Sequence, residues 1–294
     1  MRIGVCSDML RKVYRDERQA VARYAELGVS ALDYSGYLHD GPDSIYLQDG
    51  WEEYAHSLRK AADESGIIFS QAHAPMLFYG DAPAVVQRKM EVTRRFFRVC
   101  EILGAPYLVI HPRMFPDGIN GEKAGEYLSL NVEFYRELLP LAEKHRVSIA
   151  LENMFGWDPA VKRLCRTTFS TIEEMLECAR RLDSEWVCVC LDTGHSNIHR
   201  ESPSLAARKL GGMLKCLHVH DNWSERDDHL VCGYGNIDWD AFLETLKEIG
   251  YQGEFSSEAT STSELLPPEA AETAVKLVAD VSRALLERHG IPVE

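Results

Sequence analysis

The sequence has no apolar run approaching the roughly 20 residues of a membrane-spanning helix, and it opens directly on a strand-like stretch, Arg2 to Ser7, with no charged-then-apolar leader. A helical membrane protein is thereby excluded, and a cytoplasmic location is the expectation. Positive charge is scarce: 32 Lys and Arg stand against 46 Asp and Glu, a formal net charge of −14. That balance opposes non-specific attraction to nucleic acid or to an anionic membrane surface. The eight cysteines form no CxxC pair and no dense framework. Cys188 and Cys190 alternate within one apolar run, and Cys6, Cys100 and Cys216 lie in others, so all five read as small buried hydrophobes carrying free thiols. Glycine is missing where a dinucleotide-binding turn would need it, since Cys6-Ser-Asp-Met-Leu10 follows the first strand, which argues against an open doubly wound sheet. No composition shift or long linker divides residues 1–294 into separate domains.

What is present is an alternation of short β-type runs with longer helical ones, eight times over. Strands are predicted at Arg2–Ser7, Ala31–Tyr34, Ile67–His73, Tyr107–His111, Val147–Leu151, Cys188–Leu191, Met213–Leu217 and Gly253–Ser257. Helices are predicted over about 16–27, 51–64, 84–103, 123–145, 171–182, 204–210, 237–249 and 268–288. Gly28, Gly66 and Gly104 supply stop signals, and Thr171-Ile-Glu-Glu174 supplies a capping box. Alternating β and α elements imply a parallel sheet, because each crossover returns the chain to the same end. Eight units predict a single-domain (β/α)8 TIM barrel.

In such a barrel the C-terminal strand ends form the active face. Here they carry His73, His111, Glu152, Asp192, His218 with His220, and Glu258. A single histidine at a strand end is ordinarily a satisfied structural group, and a single carboxylate ordinarily caps a helix or pairs with a cation. The joint pattern is different, because so many ionisable groups in one place repel and are desolvated unless a cation offsets them. Glu152, Asp192, His218 and Glu258 therefore read as the ligands of a divalent metal ion. His218 and His220 are two apart, so either could serve. Asp227 and His229 follow in a polar loop that is by composition a solvated one. Arg113, after His111 and Pro112, has the chemistry to hold a phosphate or hydroxyl, although a rim salt bridge is the plainer use. Trp157 and Trp223 stand where an indole can cover the apolar face of a sugar ring. Arg94-Arg-Phe-Phe-Arg98 lies within a helix and reads as a solvated face over buried Phe.

The motifs His73-Ala-Pro75, Leu151-Glu-Asn153, Leu191-Asp-Thr-Gly-His195, His218-Val-His-Asp221, Gly233-Tyr-Gly-Asn-Ile-Asp-Trp239 and Glu258 resemble those of the xylose isomerase-like barrel superfamily across essentially the whole chain. That superfamily contains sugar and sugar-phosphate isomerases, ketose 3-epimerases and endonuclease IV. The resemblance implies one divalent ion (Mn, Co or Mg) on Glu152, Asp192, His218 and Glu258, with His218 chosen over His220. It also implies proton transfer next to a carbonyl, through an enediolate, by Glu152 and Glu258. His195 is expected to face substrate oxygens, and His73, His111, Arg113 and Trp223 to line the substrate site. A small carbohydrate is the expected partner, and a homodimer or homotetramer the expected assembly. The endonuclease IV branch, a zinc phosphodiesterase acting on abasic DNA, is the alternative. Its several zinc ions would use His73, His111, His195, Asp227 and His229 as additional ligands. A sugar-acid lyase or dehydratase of the same fold is a further alternative, and a sugar-binding module without catalysis another.

Overall fold

The computed structural model describes residues 1–78, 80–114, 123–158 and 162–294. Eight parallel strands follow one another around a ring: β1 (Ile3–Cys6), β2 (Ala31–Ser35), β3 (Ile68–His73), β4 (Tyr107–Ile110), β5 (Ser148–Glu152), β6 (Val187–Asp192), β7 (Leu214–His218) and β8 (Phe255–Ser257). β8 pairs with β1. The ring closes between β7 and β8 through the Val219–Ser257 bridge, where Glu258 N donates to Val219 O at 2.8 Å. The fold is the expected TIM barrel.

The helices fall where the periodicity puts them, within a residue or two at most ends. Gly66 and Gly104 adopt φ +72° and +75° beyond Trp51–Ser65 and Pro83–Leu103, the left-handed stop that a side chain would resist. Thr171 caps Ile172–Leu182, its hydroxyl accepting from Glu174 N at 3.3 Å. Two of the features outside the sequence prediction stand at the strand ends. A short helix, Thr193–Ile198, begins directly after β6 with Asp192 as its cap. An antiparallel hairpin of Gly156–Asp158 against Arg163–Cys165 rises from the end of β5. Neither carries a strong periodicity, because both are only a few residues long.

Strand alternation explains why the polar groups gather. Side chains two residues apart share a face. The inward set of β6 is Cys188, Cys190 and Asp192, and that of β5 ends in Ala150 and Glu152. Val109, Ala150, Cys188, Cys190 and Cys216 form a small apolar cluster of their own. The intervening Val189, Leu191, Ile149, Leu151 and Leu217 join the larger core that the helices cover. The inward direction therefore passes, at the strand ends, from thiols and alanine to carboxylates and imidazoles. Register completes the placement: Asp192 pairs with His218, and Glu152 with Cys190 one layer beneath. The eight cysteines are all free thiols, and only Cys165 is not buried.

Asp221, in the His218–Asp221 motif, serves the fold. It is fully buried and accepts from Asn222 N (3.0 Å), Gly233 N (2.8 Å), Ile237 N (3.2 Å) and the Trp239 indole N–H (2.8 Å). Asp221 thereby ties the loop after β7 to the following helix. Asp221→Ala leaves buried donors without an acceptor, at about 1–3 kcal/mol each. A loss of about 3 kcal/mol or more in denaturant-measured stability is expected. A loss below about 1 kcal/mol would mean that water replaces the carboxylate.

Candidate active site

The ionisable strand ends meet at the floor of a cavity of about 890 Å³ on the C-terminal rim. Glu152 is the hub. Its Oε1 lies 2.7 Å from His218 Nδ1, and its Oε2 lies 2.8 Å from His111 Nε2 and 3.4 Å from His73 Nε2. Glu258 reaches the same His218 Nδ1 at 3.3 Å. Asp192 Oδ1 accepts from His195 N at 2.6 Å, and its Oδ2 lies 3.0 Å from His220 Nε2. One donor atom each from Glu152, Asp192, His218 and Glu258 falls within 4.8 Å of the others, as does one each from His73, His111 and Glu152.

Backbone and carboxylate partners set the imidazoles. Asp33, buried in the middle of β2, holds His218 Nε2 at 2.8 Å and accepts from the Gln71 amide at 2.9 Å. His218 Nδ1 is thereby turned toward Glu152 and Glu258. His195 Nδ1 donates to Asn153 O at 2.7 Å, and His229 Nδ1 donates to Glu258 O at 2.9 Å. Their Nε2 atoms then face Asp227 Oδ2, at 3.6 and 2.8 Å. His220 packs against Gly194, where a Cβ would fall 1.9 Å from the ring, so only glycine fits that position.

The charges interlock. Burial pushes the Glu152 carboxyl up, but His218 and His111 outweigh it and hold it well below the usual range. Asp192 and Asp227 are likewise raised by burial and brought down further by their histidines. Glu258 goes the other way, because burial exceeds the help it receives from His218 and His229. Two neighbouring carboxylates thus differ in proton affinity, the division that acid–base chemistry uses. The oxygen-and-imidazole donor set suits a divalent cation: three carboxylates around one imidazole, two of them buried and Glu258 partly so, repel until a cation joins them.

His73, His111, Glu152, Asp192, His195, His218, Asp227, His229 and Glu258 all come together here, and Asp227 and His229 are part of the site rather than of a solvated loop. His218 and His220 separate: the first faces Glu152 and Glu258, the second Asp192. Arg113 and Trp223 are not among the residues lining the cavity. Asn131 brackets the Arg113 backbone, accepting from its N–H at 2.7 Å and donating to its carbonyl at 3.2 Å, and Trp223 is 58% exposed on the loop after β7. Trp157 does line it. Residues 115–122, which follow Arg113, lie outside the described residues. Sequence reasoning missed Asp33, and it missed Asp8 and Tyr37 on the cavity wall, which are joined at 2.7 Å. A carboxylate inside the otherwise apolar run Ala31-Leu-Asp-Tyr34 was the available signal for Asp33.

Parallel strands with ionisable side chains gathered on the C-terminal rim define a TIM-barrel enzyme scaffold. The chain belongs to the xylose isomerase-like TIM barrel family, whose profile matches residues 21–281. It is 31% identical to a D-psicose 3-epimerase of Ruminiclostridium cellulolyticum, over 81% of this chain and 76% of that one. A probable endonuclease 4 of Mesomycoplasma hyopneumoniae is 26% identical over 74% of each chain. An uncharacterised Methanocaldococcus jannaschii protein, MJ1311, is 33% identical over 53% of this chain, the match spanning only 51% of its own length. Among solved structures, a D-tagatose 3-epimerase-like protein superposes with a TM-score of 0.74 at 24% identity, over 98% of this chain and 99% of that one. The IOLI protein with a bound zinc atom superposes with a TM-score of 0.75 at 20% identity, over 98% and 99%. Its relatives thus include sugar epimerases and endonuclease 4-like proteins.

Proposed function

We propose that the protein is a divalent-metal-dependent sugar or sugar-phosphate isomerase or epimerase that moves a proton next to a carbonyl. The observation that carries this reading is the convergence of Glu152, Asp192, His218 and Glu258 within 4.8 Å, in a chain related to D-psicose 3-epimerase. These four residues would hold the ion; when bound, it would offset the negative charge that develops on the carbonyl and neighbouring hydroxyl oxygens. Glu258, its carboxyl raised by burial, takes the carbon-bound proton. Glu152, which meets Glu258 at the same His218 Nδ1, handles the proton at the opposite face. His195, with Nδ1 committed to Asn153 O, offers Nε2 to a substrate hydroxyl. The test is incubation with ketoses in deuterated buffer. Metal-dependent loss of a carbon-bound proton signal supports the reading, and its absence across a panel of ketohexoses and their phosphates contradicts it.

Asp33 is the positioning residue for His218 in this scheme. Loss of such an outer carboxylate typically costs ~10–100-fold in metal affinity or activity. Asp33→Asn is expected to weaken Mn²⁺ binding by that amount in titration calorimetry. Unchanged affinity would mean that His218 is oriented by packing alone.

One observation favours a second reading. His73 and His111 with Glu152, and His195 and His229 about Asp227, are the additional clusters that a zinc phosphodiesterase would use. The net charge of −14 counts against a DNA substrate, whose binding rests on neutralised phosphates.

A further inference from the structure

The cavity floor accounts for the reacting carbons of a sugar; the hydroxyls farther along the molecule need partners of their own. Above the floor the wall has two characters. The side built by the segments after β3 and β5 is apolar, with Met76, Met154 and Trp157. The side built by the segments after β8, β1 and β2, which are neighbours in the ring, is polar, with Asp8, Tyr37, Thr260 and Ser261. This polar side joins the floor at both ends. The Tyr37 ring stands edge-on to that of His73, with centroids 5.2 Å apart, and Thr260 N donates to Glu258 O at 2.7 Å.

The backbone places Tyr37 against Asp8. Gly36 passes so close to the end of β3 that a Cβ on it would fall 2.4 Å from His73 O and 2.1 Å from the Phe96 ring, which fixes where the Tyr37 side chain begins. The Tyr37 hydroxyl donates to Asp8 Oδ2 at 2.7 Å, and the Ser35 hydroxyl donates to Asp8 Oδ1 at 3.3 Å. Among the described residues the buried Asp8 carboxylate has no other hydrogen-bond donor and no ion pair, since Arg11 spends its guanidinium on Glu264 at 2.5 Å. A carboxylate offers about four acceptor sites, so about two remain open. Burial raises the Asp8 carboxyl, against the pull of Tyr37 and Arg11, and further donated bonds would favour its charged form as Tyr37 does. Burial and Asp8 hold the Tyr37 phenol far above its ordinary range, so it keeps its proton for Asp8 and its oxygen is left to accept. Toward a ligand, both groups are acceptors.

We propose that Asp8 and Tyr37 determine substrate specificity by accepting hydrogen bonds from the sugar hydroxyls beyond the reacting carbons, a role that rests on the proton-transfer reading of the floor. A pair that offers only acceptors selects for free hydroxyls. A sugar whose chain ends early leaves the buried carboxylate short of donors, and a site built to bond hydroxyls penalises that loss. The preferred substrate therefore continues, past the carbonyl and hydroxyl held on the floor, as a chain of hydroxyl-bearing carbons along the Asp8–Tyr37 side.

The test uses ketoses matched in configuration at the reacting carbon: D-fructose and D-tagatose against L-erythrulose, and D-psicose and D-sorbose against D-erythrulose. Within each set the reacting unit is the same, and only the ketohexoses carry a chain beyond it. Loss of the proton next to the carbonyl is followed by NMR with the Mn²⁺-loaded protein in deuterated buffer and corrected for the uncatalysed rate. For at least one ketohexose, kcat/KM is expected to be roughly tenfold or more above that of its matched erythrulose. Asp8→Asn and Tyr37→Phe, which keep the shape of the side chains, should pull that ratio toward one, chiefly through the KM of the ketohexose. A purely structural role would lower both sugars together. Ratios near or below one in the unsubstituted protein, or a ratio unmoved by both substitutions, would overturn the inference and leave the proton-transfer reading standing. No exchange with any of these sugars would overturn it too, and an equally inert panel of ketohexose phosphates would then remove the proton-transfer reading as well.

Discussion

Glu258→Gln is expected to lower exchange of the substrate's carbon-bound proton with solvent by at least ~10²–10⁴-fold, the usual contribution of a positioned acid–base group. Glutamine keeps the size and one oxygen of the side chain but cannot accept a proton. The substitution keeps the 2.8 Å bond from residue 258 N to Val219 O that closes the barrel, so the fold should persist. Because Glu258 is also a proposed ligand, metal content must be measured on the same sample. Lost exchange with the ion retained assigns Glu258 to the proton. Exchange at the rate of the unsubstituted protein would take Glu258 out of the chemistry and leave Glu152 as the sole carboxylate for it.

Chelation is expected to abolish activity and to soften the fold together. An ion that binds only the folded chain stabilises it by about 2.7 kcal/mol at 100 times its Kd. For a chain of this length each kcal/mol moves Tm by roughly 2–4 °C, so exhaustive chelation should lower Tm by about 5–10 °C and Mn²⁺ should restore it. The physical reason is the crowding of Glu152, Asp192 and Glu258 around His218, whose mutual repulsion is exposed once the cation leaves. Activity that survives with no metal detectable would contradict the proposed role of the ion.

The barrel was legible because its signals are periodic and repeated. Runs such as Val187–Asp192 and Ser148–Glu152 alternate inward and outward side chains, and each helix is long enough to show its apolar face. The residues of the site were legible for the same reason, since Glu152, Asp192 and His218 extend the inward parity of their strands by one step. What escaped was set by tertiary contact. Nothing local announces that Asp33 reaches His218 across 185 residues of sequence, or that Asp227 is drawn between His195 and His229. Trp157 and Trp223 follow strand ends in the same way and look equivalent in the sequence. Only the hairpin of Gly156–Asp158 with Arg163–Cys165 turns the first toward the cavity, while the second stays 58% exposed outside it.

The most direct measurement is elemental analysis of the purified protein combined with a crystal structure recorded at the absorption edge of the metal found. The expected result is one Mn, Co or Mg ion per chain, bonded to Glu152, Asp192, His218 and Glu258. No ion at these residues, or three zinc ions extending to His73, His111, His195, Asp227 and His229 together with incision of abasic DNA, would contradict it.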